Sequence, residues 1–226
     1  MAIIELYHGS DKIVHHPMKG EGNPANDYGP GFYCTKKLEL AYEWACTDSH
    51  TGFANKYELE TNSLRVLNLN GRDYHILNWL AMLLDNRVFD VTTRLAADAK
   101  AYILSNYLPE YSDYDLICGY RADDSYFSFA RAFLNNTISL EQLSRAMRLG
   151  KLGEQIVIRS DSAYEALTFL AAAPADRNVF YPRRMARDRE ARSAYQAMLS
   201  ESPSESATYV IDIIRQQWKN DDSRLR

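Results

Sequence analysis

Strand-like and helix-like runs alternate irregularly along this chain, and that irregularity limits its architecture more than any single motif does. Short β-type runs are expected at 2–7 ("AIIELY"), 31–35 ("GFYCT"), 55–60 ("NKYELE"), 64–69 ("LRVLNL"), 114–120 ("YDLICGY") and 153–160 ("GEQIVIRS"). Helical spacing is expected at 37–47, where Leu38, Ala41, Tyr42 and Ala45 share a face, and again at 74–86, 92–107 and 122–134. A steady β-helix-β rhythm would announce a doubly wound parallel sheet. Without that rhythm the expected class is α+β.

Local signals set the boundaries. "NKYELE" and "LRVLNL" read as a hairpin turning at Thr61–Ser63. Ser139 and Gln142 form a capping box with Gly150 as the natural stop, and Ser162 with Glu165 offers a second box for a helix through "SAYEALTFL". The Ala-Pro stretch at 171–176 reads as a boundary, with two further helices expected at 184–199 and 206–219. Residues 1–175 are therefore expected to form one domain, and residues 176–226 a helical extension that packs on it. The run "YPRRMARDREAR" in that extension reads as a solvated helical face.

A chain of 226 residues with 46% apolar and 25% charged residues is long and apolar enough for a buried core. Its net charge of -4 argues against a protein that mainly wraps bulk nucleic acid. Cys34, Cys46 and Cys118 are far apart in apolar or aromatic settings, as expected of reduced thiols in a cytoplasm. "MAIIELYHGS" lacks the pattern of a secretory signal, and no apolar run reaches the roughly 20 residues of a membrane span. A cytoplasmic protein with no membrane partner is expected.

Several chemistries lack their motifs. "GPGFYC" puts a cysteine where a dinucleotide fingerprint needs its third glycine, and a strand where the phosphates need a helix start. The adjacent His15 and His16 have no completing ligands, so no metal is expected. No G-x-S-x-G elbow is present. What remains is "LYHGS", "GPGFYCT" and "GEQIVIRS", each of which places a polar or aromatic side chain in an otherwise apolar strand. Buried polar groups need a partner or a task.

These motifs, in this order, resemble the ADP-ribosyltransferase superfamily, specifically its H-Y-E branch of diphtheria-toxin-like toxins and poly(ADP-ribose) polymerases. The resemblance is more specific to bacterial proteins with that fold, through the segment Asp27 to Thr35, "GYRADDSYF" and "GEQIVI", and it covers residues 3–170. It implies a split β-sheet core with inserted helices in a catalytic domain, with NAD as substrate. The implied activity is mono-ADP-ribosyl transfer by a toxin or defence effector to a protein or nucleic acid, with a neutralising antitoxin as a further partner. The alternatives are an NAD glycohydrolase and a catalytically silent binding module.

The resemblance also assigns roles. His8 would bond a ribose hydroxyl, Gly9 would offer backbone groups to the carboxamide, and Tyr33 would stack on the nicotinamide ring. Ser10, Gly31 and Thr35 belong to the same NAD-binding segments. Glu154 is the expected catalytic carboxylate and Gln155 its competitor, because adjacent strand residues face opposite ways and only one enters the cleft. Asp123 and Asp124 either cap a helix or, with Arg121, meet ribose or an acceptor.

Overall fold

β1 (Ile3–Ser10), β3 (Gly52–Glu60) and β7 (Leu167–Ala175) form an antiparallel sheet in the order β1-β3-β7. β2 (Phe32–Cys34), β6 (Glu154–Ile158), β5 (Leu116–Tyr120) and β4 (Val66–Asn68) form a second sheet in the order β2-β6-β5-β4, antiparallel except for the parallel β4–β5 pair. A single bridge between Tyr7 and Thr35 joins β1 to the end of β2. These features come from a computed structural model that describes residues 2–122, 124–149, 153–201, 204 and 206–225. The class is α+β, as the irregular alternation requires.

The two sheets share one apolar layer. Leu6 and Leu59 from the first sheet meet Cys34, Leu116, Ile156 and Ile158 from the second, all buried. Each fully buried leucine or isoleucine in such a layer contributes about 2 kcal/mol. The opposite face of the second sheet, through Leu67, Ile117 and Val157, carries the larger core. That core is completed by α2 (Ile76–Asn86), α3 (Arg94–Tyr107), α4 (Asp124–Leu134) and α5 (Leu140–Ala146). Ser139 accepts from the Gln142 backbone and Gln142 returns a bond to the Ser139 N–H, the capping box read from the sequence.

α1 (Leu38–Ala45) lies against β1 and β3. Gly9 makes this approach possible: a Cβ there would lie 2.0 Å from the carbonyl oxygen of Ala41.

Three expectations are corrected. β3 and β4 are not a hairpin, because β1 and β7 occupy both edges of β3; the chain crosses at 61–65 to the other sheet, where β4 pairs with β5. Asp115 Oδ2 accepts from the Arg65 N–H at 2.7 Å and fixes that crossing. The helix expected through residue 170 stops early: α6 (Asp161–Glu165) is capped by Ser160, not Ser162, and β7 follows. The Ala-Pro stretch, read from the sequence as a boundary, thus belongs to a sheet as far as Ala175. Pro174, with no N–H to offer, is tolerated because β7 is an edge strand.

α7 (Arg177–Leu199) starts directly after β7 with Asp176 as its cap. It docks on α1 through Phe180 stacked on Tyr42 at 4.5 Å and a two-pronged Arg187–Glu43 ion pair at 2.8 and 3.0 Å. Glu43 is only 3% exposed, so this part of the basic run faces protein rather than water. α8 (Val210–Arg215) buries Val210 and Ile213, and beyond it the Trp218 carbonyl accepts from the hydroxyls of Tyr102 and Tyr107 on α3. Among the described residues no helix is long and apolar enough to cross a membrane.

Candidate functional site

The residues Asn26 to Gly31 fold into a turn that Tyr33 holds shut. Gly29 donates its N–H to the Asn26 carbonyl at 3.0 Å and has φ of +75°, a conformation that favours glycine. The Tyr33 hydroxyl donates to the Gly29 carbonyl at 2.6 Å and accepts the Tyr28 N–H at 3.1 Å. Tyr28 is fully buried and donates its hydroxyl to the Tyr120 carbonyl at 2.5 Å, which pins the turn against the end of β5. Asp27, the residue between these anchors, is thereby carried inward.

Around it lies a cavity of about 260 Å³. β1 contributes His8 and Gly9, β2 contributes Tyr33, and β6 contributes Gln155. The turn supplies Asn26 and Asp27, the segment after β5 supplies Arg121 and Ala122, and Trp44 of α1 and Arg87 after α2 complete the wall. Larger open grooves exist, but this cavity gathers three sequence-distant motifs. Its volume is slightly below the roughly 300–1,000 Å³ usual for small-molecule sites.

His8 Nδ1 lies 2.8 Å from the Tyr33 carbonyl oxygen, which can only accept, so Nδ1 carries the proton and Nε2 is the acceptor of the neutral ring. Burial pushes the imidazole below the ordinary histidine range, against the opposing pull of that carbonyl. Asp27 is 4% exposed. Its Oδ2 accepts from the Ala122 N–H at 2.9 Å and from Gln155 Nε2 at 3.3 Å, while Oδ1 has only a loose ion pair with Arg87 Nε at 3.7 Å. Burial drives its carboxyl up to about 6, with the Ala122 N–H, Arg87, Arg121 and Gln155 pulling the other way. Burial likewise raises Tyr33, so its phenol stays protonated.

Two polar atoms of the wall are buried without a hydrogen-bond partner among the described residues, Gln155 Oε1 and Trp44 Nε1. One is an acceptor and the other a donor, and a bound ligand or water would satisfy both. The Arg121 guanidinium stands 4.4 Å over the Trp44 ring, which fixes the charge at the rim.

β6 turns Gln155, not Glu154, into this cavity, contrary to the orientation expected from the sequence. In the β5–β6 register Gly119 faces Gln155 and Tyr120 faces Glu154. Gln155 shares a side with Val157, which packs in the larger core, whereas Glu154 shares the side of Ile156 and Ile158 and projects past their layer. Glu154 is exposed, accepts from Asn70 Nδ2 at 2.7 Å, and lines a separate hollow with Lys37 and Arg148.

Other expected members also lie outside the cavity wall. Ser10 Oγ donates to the Lys12 carbonyl at 2.5 Å, and Thr35 is buried, with Oγ1 accepting the Lys37 N–H. Gly31 serves close packing: a Cβ there would lie 2.5 Å from Val157 Cγ1. Asp123 lies outside the described residues, as does the side chain of Asp124, which opens α4. Asp27, Trp44 and Arg87 were not among the expected site residues. Asp27 had a signal, since it heads the glycine-rich segment, but Trp44 and Arg87 are brought in only by tertiary packing.

An α+β chain with a partly enclosed polar cavity at the meeting of its two sheets is the class that fold and site define. Residues 4–169 match the family described as protein of unknown function (DUF3990), and the chain belongs to that family. No match to the chain was found among curated proteins or among solved structures.

Proposed function

We propose that this chain is an NAD-dependent mono-ADP-ribosyltransferase whose site is the cavity of His8, Tyr33 and Gln155. The observation that carries this reading is the convergence of three distant motifs, "YHGS", "GFYCT" and "GEQIVI", on one cavity. Together they resemble the ADP-ribosyltransferase pattern. The volume of about 260 Å³ suits the nicotinamide end of NAD and not the whole dinucleotide. Arg87 lines both this cavity and an adjoining open groove of about 710 Å³, a path for the phosphates and adenosine.

Within this reading the Tyr33 ring forms a wall for the nicotinamide, the neutral His8 Nε2 accepts from a ribose hydroxyl, and Gly9 offers backbone groups to the carboxamide. Gln155 bonds the ribose through its unpartnered amide oxygen. Transfer to water instead of a macromolecule gives NAD glycohydrolysis at the same site. The macromolecular acceptor is a protein or nucleic acid, and the setting is that of a cytoplasmic toxin or defence effector with a neutralising antitoxin. The neutral Gln155 favours a second reading, a catalytically silent NAD-binding module.

Incubation with NAD alone, followed by chromatography, separates these readings. Nicotinamide release by the wild type is expected to fall about tenfold in His8→Ala, the loss of one hydrogen bond to the ribose. Tight NAD binding without release supports the silent module. Neither binding nor release, with or without cell extract, overturns the NAD reading.

A further inference from the structure

Resting on the NAD reading, we infer that Asp27 is the catalytic carboxylate of this site, held by Gln155 and the Ala122 N–H with Oδ1 directed to the reacting sugar. Among the described residues the cavity wall holds one carboxylate, and it belongs to Asp27; Glu154 is on the other side of its strand. One oxygen is fully engaged, with Oδ2 accepting from Ala122 N and Gln155 Nε2, and this fixes the orientation of the group. The other oxygen has no hydrogen-bond donor among the described residues, only Arg87 Nε at 3.7 Å. Gln155, 6% exposed, has its own amide oxygen unpartnered beside it. The pair therefore presents two acceptors to a ligand rich in hydroxyl donors.

The chemistry balances. The bond from ribose C1′ to the nicotinamide nitrogen breaks, and its electron pair goes to the ring nitrogen, so the pyridinium leaves as neutral nicotinamide. Positive charge that grows on the ribose is stabilised by the Asp27 carboxylate in a water-poor pocket, an interaction stronger in the transition state than with bound NAD. An acceptor hydroxyl or water then forms the new bond to C1′ and gives its proton to Asp27. A carboxyl held up to about 6 by burial is suited to take a proton near neutral pH and release it to solvent. Among the described residues the other ionisable groups facing it are Arg87, Arg121, His8 and Tyr33; burial lowers the imidazole and raises the phenol, which favours the neutral form of both.

The test is Asp27→Asn, which retains an acceptor for the Ala122 N–H, with NAD affinity by calorimetry and nicotinamide release measured side by side. The expected result is a fall in kcat of about 100-fold with Kd for NAD changed less than about fivefold. In the wild type, release rises with pH to a plateau through about 6, and Asp27→Asn loses that rise. Release by Asp27→Asn at the wild-type rate, or a wild-type rate that is flat across this range, overturns the assignment of Asp27 while leaving the NAD reading intact. The wild-type profile needs no variant, so a flat profile overturns the assignment even if Asp27→Asn does not fold. Wild-type protein that neither binds nor cleaves NAD overturns the NAD reading and this inference with it.

Discussion

Gln155→Ala is expected to lower nicotinamide release from NAD about 100-fold, while Glu154→Ala stays within about twofold of the wild type. The contrast is large because the two neighbours occupy unrelated surroundings. Gln155 is buried in the cavity wall and holds Asp27 through Nε2, so its removal both takes away an acceptor and frees the carboxylate to turn. Glu154 is exposed and bonded to Asn70, and its loss removes only that contact at the surface. Measured kcat and KM for the two variants check this. A large loss in Glu154→Ala with activity retained in Gln155→Ala would mean that β6 presents its other face during turnover.

Asp27→Asn is expected to make the protein more stable at pH 8 by up to about 3 kcal/mol, and to leave it unchanged near pH 4. The sign follows from the direction of the shift. The Asp27 carboxyl is raised from 3.8 to about 6 in the fold, so between these values the native state keeps a proton that the unfolded chain has released. Stability is therefore highest below the lower value and is lost as pH rises through the window. Above about 6 the native state holds a buried carboxylate at a cost of about 3 kcal/mol, the energy equivalent of the rise from 3.8 to about 6. Asparagine removes the ionisation and keeps an acceptor for Ala122. Such a gain is what a site that trades stability for function predicts. Thermal or denaturant unfolding of both proteins across pH checks it, and a difference that does not change with pH would contradict the burial of Asp27 as a charge.

The parts of the fold fixed by local chemistry are legible in the sequence. The strand runs at β1, β2, β5 and β6 and the capping box at Ser139 each rest on residues within a few positions of one another. The misread parts depend on distant partners. "NKYELE" and "LRVLNL" look like a hairpin, yet the edges of β3 were already taken by β1 and β7. "LTFLAAAPA" carries helix-forming alanines, and pairing along β3 overrides them.

The site divides along the same line. His8 and Tyr33 are legible from their motifs, "YHGS" and "GFYCT". The phase of β6 was hidden because Ile156, Val157 and Ile158 are apolar on both faces of a strand buried between two layers, so alternation gives no inward side. Asp27 carries no such local signal of burial, because its burial depends on Tyr28 reaching the Tyr120 carbonyl, 92 residues away. The arginine run of α7 looked solvated for the same reason, since its partner Glu43 lies on α1.

The most direct test is a crystal structure of the protein soaked with NAD. Nicotinamide is predicted against the Tyr33 ring, with the ribose between His8, Asp27 and Gln155 and the phosphates leading past Arg87. NAD seated instead in the hollow beside Glu154 and Arg148, or no NAD at saturating concentration, would contradict the placement of the site.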